Sequence, residues 1–197
     1  MARRADDILT TSEAAIVGAF SGIFSFMAYA TSIGTYKVDL ARWIAILGPG
    51  IIYGFALALY LRAATRAALL RAIALVPLMA AIWYASLRST TAGPRLIGHS
   101  GAEPWLSGLN AGTVAATGVV VATWLLFPFF RRFSSAAVTL LVGMAFGMLV
   151  ALPIGWHISL FLTFVVWQAG VTACIGWAVA RAKAAETSPP TLAASCI

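Results

Sequence analysis

Apolar and polar residues are arranged along this chain in long blocks, with none of the residue-by-residue alternation of a half-buried strand. Six apolar stretches run from Ala14 to Ile33, Leu40 to Leu61, Ala67 to Leu87, Ser107 to Phe130, Ser135 to Ile154 and Trp156 to Ala180. A helix rises about 1.5 Å per residue, so about twenty such residues cross the ~30 Å hydrocarbon core of a bilayer. The pattern predicts an all-α fold, a polytopic membrane bundle of six transmembrane helices filling residues 1–181, with residues 182–197 as a disordered tail containing Pro189-Pro190.

The second stretch, LARWIAILGPGIIYGFALALYL, is unusual in its middle. Pro49 has no N–H, so the carbonyl of Ala45 loses its helical donor, and Gly48 and Gly50 permit a bend there. Small residues four apart form flat stripes for close helix packing. Such steps occur at Gly18 and Gly22, Gly50 and Gly54, and Gly143 and Gly147. The second and fifth stretches also share a pattern: both glycines, an aromatic before the second, then Ala-Leu at Ala58-Leu59 and Ala151-Leu152. Gly108 and Gly112 loosely match Gly18 and Gly22, so the two halves would form an inverted 3+3 repeat of the kind secondary transporters use.

Composition reinforces the membrane reading. The chain is 61% hydrophobic and 10% charged, far more apolar than a water-facing surface can be. The formal charge of +7 does not point to nucleic acid, because the cations sit at the ends of spans instead of along one stripe. With the N-terminus in the cytoplasm, nine Lys and Arg residues fall inside (positions 3, 4, 62, 66, 71, 131, 132, 181 and 183) and four outside (37, 42, 88 and 95). The positive-inside rule therefore expects a bacterial-type inner membrane protein with both termini cytoplasmic. Membrane lipids are its default partners, and further membrane subunits or a second copy are compatible with the glycine stripes. Thr10 and Glu13 have the spacing of a capping box opening the first helix. Asp6, Asp7 and Glu13 spoil the basic region of a signal peptide, so the first span is expected to stay.

Candidate chemistry is sparse. No Asp or Glu lies inside a span, no Walker loop occurs, and His99 and His157 are far apart, so no metal or cofactor is expected. Cys174 in a span and Cys196 in the tail are not placed to pair. Gly98-His99-Ser100-Gly101 resembles the GxSG motif of rhomboid intramembrane proteases, which implies Ser100 as nucleophile and His157 of the sixth span as its base. The chain departs from that family: Glu103-Pro104-Trp105 follows the serine, and no Trp-Arg pair follows the first span. A polar turn is the reading adopted, with no catalytic residue assigned.

The polar groups left at membrane depth are Arg71, Asn110 and Gln168, with several Ser and Thr. Joined to Gly48, Pro49 and Gly50, they would line a midplane site for a neutral or anionic small solute. The expected function is a small permease or the membrane subunit of a transporter. The alternative is a structural or accessory subunit, with the Gly50 and Gly143 stripes docking a partner.

Overall fold

The computed structural model describes residues 2–33, 39–65, 68–96, 103–127, 130 and 133–186. Its helices are α1 (Ala2–Ile33), α2 (Asp39–Thr65), α3 (Leu69–Leu96), α4 (Pro104–Leu126), α5 (Phe133–Gly147) and α6 (Trp156–Glu186), with a 3-10 turn at Met148–Ala151. Six helical segments are long and apolar enough to span a membrane, the fifth made of α5 together with the 3-10 turn, and no strand occurs among the described residues. The chain is an all-helical, multi-pass membrane protein.

Local chemistry explains where helices stop. Phe127 leaves α4 with extended angles, φ −130° and ψ 110°, and Leu152 leaves the 3-10 turn at ψ 134°. Both precede a proline, Pro128 and Pro153, whose ring pushes the residue before it out of the helical region. The fourth and fifth helical segments therefore end earlier than the apolar runs suggested. Pro104 sits at the start of α4, where its missing N–H costs nothing. Gly155, with φ +94°, supplies the left-handed residue that turns the chain into α6. Several other ends extend further than expected. Ala, Arg and Leu carry α1 back to Ala2, so Thr10 and Glu13 lie inside the helix and do not cap it. Helix α3 runs through Gly93-Pro94 to Leu96, and α6 runs past Ala180 to Glu186; the tail beyond lies outside the described residues.

Helix α2 continues through Pro49 instead of breaking there. In a membrane a neighbouring hydroxyl can support the backbone around a proline. Ser25 of α1 donates to the Pro49 carbonyl at 3.2 Å.

Each helix packs on its neighbour in sequence, and α1 packs on α6 to close a six-membered ring. The glycine stripes set the closest approaches. A Cβ on Gly22 would lie 2.6 Å from the Val165 Cα of α6, and one on Gly50 would lie 2.6 Å from the Met79 carbonyl of α3. Gly54 faces Val76 of α3, Gly18 faces Gln168 and Ala169, and Gly143 and Gly147 face α4 at Ala116, Gly112 and Gly108. The matching stripes of α2 and α5 thus serve different contacts, one with the following helix and one with the preceding helix.

The half of the ring that holds both termini is filled. Leu57, Leu61, Leu75, Phe127, Val171 and Ile175 meet there with almost no exposure. Outward faces carry large apolar side chains: Ile16, Phe20, Phe24 and Met27 form one stripe along α1, each more than half exposed. Such a face fits lipid and not water.

A half-open cavity as the candidate functional site

In the half of the ring away from the termini, neighbouring helices touch but their inner faces leave a space. A half-open cavity of about 440 Å³ lies between the C-terminal parts of α1 and α3, the N-terminal parts of α4 and α6, and the 3-10 turn. Its walls follow helical spacing. Trp83, Ser86, Leu87 and Thr90 come from one face of α3, while Leu160, Thr163, Phe164, Trp167 and Gln168 come from one face of α6. The α4 wall is small: Ser107, Gly108, Ala111, Gly112 and Ala115. Small residues leave space there, and Gly108 and Gly112 also hold the Gly147 and Gly143 backbone close behind.

Aromatic rings give the opposite side its shape. Trp83 lies against Phe164 with ring centroids 5.0 Å apart, and Tyr29 lies 5.9 Å from Phe164. Gly50 of α2 lets Trp83 approach, since a Cβ there would come 2.7 Å from the Trp83 Cβ. Trp167 is fixed by its Nε1–H, which donates to the Gly143 carbonyl at 3.0 Å. Among the described residues lining the cavity there is no Asp, Glu, Lys, Arg or His.

Gln168, 3% exposed, belongs both to the cavity wall and to a buried polar chain. Ser25 gives its one proton to Pro49, so its oxygen must accept from Gln168 Nε2, 3.1 Å away. The amide oxygen of Gln168 then faces Ser21, whose hydroxyl lies 2.6 Å from it and 2.8 Å from the Gly18 carbonyl. The chain ties α6 to α1 and, through Ser25, to α2.

Of the residues expected to form one midplane site, the structure brings Gln168 and Pro49 into this network through Ser25. Pro49 is buried, and Gly48 packs in ordinary contact with Ala28 and Ile44; neither lines the cavity. Asn110 donates to the Ser89 carbonyl at 2.6 Å, tying α4 to α3 beside the cavity. Arg71 is exposed in the first turn of α3, at the opposite end of that helix from the cavity. These residues do not converge. The cavity residues that sequence reasoning missed are mostly aromatic and small; of the network behind them, Ser21 and Ser25 left a signal, because with Gly18 and Gly22 they form one stripe of α1.

His157 is exposed in the first turn of α6, while His99 and Ser100 lie outside the described residues. Among the described residues, no three His, Cys, Asp or Glu side chains come together. The chain matches no protein-family model, no functionally described protein and no solved structure.

Proposed function

We propose that this protein is a small permease, or the membrane subunit of a transporter, that admits a small uncharged solute through the cavity between α1, α3, α4 and α6. One observation carries the reading: a volume of about 440 Å³, within the range of ligand sites, with no ionisable Asp, Glu, Lys, Arg or His among the described residues of its wall. A closed core on the side of the termini and a half-open cavity in the other half support an access state open to one face. Placing both termini in the cytoplasm of a bacterial-type inner membrane, as the nine-to-four distribution of cations favours, makes that face the outer one. A neutral solute fits better than an anion, because Arg71 sits at the other end of α3.

The accessory-subunit alternative loses its proposed surface. The Gly50 and Gly143 stripes are occupied by α3 and α4 of the same chain, so a partner would have to dock on another face.

Uptake of uncharged aryl glycosides into proteoliposomes tests the proposal, since these molecules cross lipid slowly unaided. Saturable uptake by the unmodified protein, lost in Ala111→Phe where a ring fills the cavity, is the expected result. Absence of saturable uptake, or uptake unaffected in a folded Ala111→Phe protein, would overturn it.

A further inference from the structure

The serine and threonine hydroxyl protons of the cavity wall are already committed. Ser86 donates to the Ala111 carbonyl at 2.9 Å, Thr90 to Leu87 at 2.7 Å, Ser107 to Thr90 at 3.1 Å and Thr163 to Ser159 at 2.7 Å. A hydroxyl has one proton and two lone pairs, so each of these groups retains acceptor capacity and no donor. Trp167 has also spent its N–H, on Gly143. The unpartnered N–H of Trp83 is covered by surrounding atoms and does not reach open space. The serines and threonines of the wall therefore offer acceptors around an apolar, aromatic interior, which also holds the Tyr29 phenol, with the second Nε2 proton of Gln168 as the remaining side-chain amide donor.

We propose that the cavity selects uncharged molecules with an apolar body and a hydrogen-bond donor, an O–H or N–H, over otherwise similar molecules whose donor is masked. This rests on the cavity being the ligand site proposed above. A donor entering it satisfies oxygens that already hold a backbone carbonyl. A masked analogue brings only another acceptor and meets the same oxygens unpaired, so discrimination follows from a missing partner and not from size. One hydrogen bond in such a setting corresponds to a preference on the order of tenfold.

The test compares 2-naphthol with 2-methoxynaphthalene, an aromatic pair differing by masking of the hydroxyl. Binding is measured by titration calorimetry on the full chain in lipid nanodiscs, with empty nanodiscs subtracted to remove partitioning into lipid. The expected result is about tenfold tighter binding of the naphthol, falling toward parity in Thr163→Val through weaker naphthol binding alone. That replacement keeps the side-chain shape and leaves the Ser159 carbonyl in its own helix; Ser107→Ala provides the same readout on α4 if Thr163→Val does not fold. Equal binding of the two ligands, or tighter binding of the ether, overturns donor selection; loss of that binding in Ala111→Phe would leave the cavity standing as the ligand site. Binding of neither ligand, or binding that persists in a folded Ala111→Phe protein, overturns both proposals.

Discussion

Replacing Gln168 by Met removes the amide at the centre of the buried network while keeping an unbranched side chain of similar length. Two hydrogen bonds disappear, one to Ser25 and one from Ser21. Neither serine is orphaned: the Ser25 proton remains on Pro49 and the Ser21 proton can remain on Gly18. The loss is thus the net value of two interhelical bonds and not the penalty of burying unpaired groups. At about 0.6 kcal/mol each within a membrane, Gln168→Met should cost about 1.2 kcal/mol. Ser25→Ala should cost at least as much, because it leaves an amide proton of Gln168 without its partner in a site that is nearly fully buried. The assay is reversible unfolding in mixed micelles, followed by helicity and corrected for any change in the slope against denaturing detergent. A Gln168→Met penalty above about 3 kcal/mol, or a larger one than for Ser25→Ala, would refute this bond assignment.

Other outcomes follow from close packing and from the position of the cavity. Gly22→Ala places a methyl 2.6 Å from the Val165 Cα and should destabilise the α1–α6 pair by about 1–3 kcal/mol in the same unfolding assay. Gly48→Ala meets its nearest neighbours only at 3.6 Å and 3.7 Å, so its better helix propensity should make it neutral or stabilising by up to about 1 kcal/mol. Pro49→Ala should leave binding of a cavity ligand within about twofold of the unmodified protein, a difference of ~0.4 kcal/mol, because Pro49 lies outside the lining. A large loss of binding in Pro49→Ala would mean that the proline shapes the site after all.

The helices were legible because a membrane imposes one demand on every span, a long apolar run with its backbone bonded internally. Their ends were less so. Pro128 and Pro153 stop helices as their chemistry requires, yet Pro49, Pro77 and Pro94 lie within helices, and the difference depends on what surrounds each ring. At Pro49, that surrounding includes Ser25 from a different helix. The site was least legible of all. Its existence depends on Gly108, Ala111 and Gly112 of α4 standing opposite large rings on α3 and α6, a relation between helices that no single span encodes. Gln168 was identifiable as an amide at membrane depth, but its neighbours were not. Arg71 and Asn110 drew attention for the same reason and proved to belong to a helix end and a helix tie.

The direct test of an aqueous entrance facing away from the termini is cysteine accessibility. In a background with Cys174→Ala and Cys196→Ser, Ala111→Cys would be exposed to a membrane-impermeant maleimide in intact cells, with Leu57→Cys in the buried core as comparison. Modification of position 111 from outside, with position 57 protected, is the predicted result. Modification of position 111 only after the cytoplasmic face is opened, or equal protection of both positions in folded proteins, would contradict an outward-facing cavity.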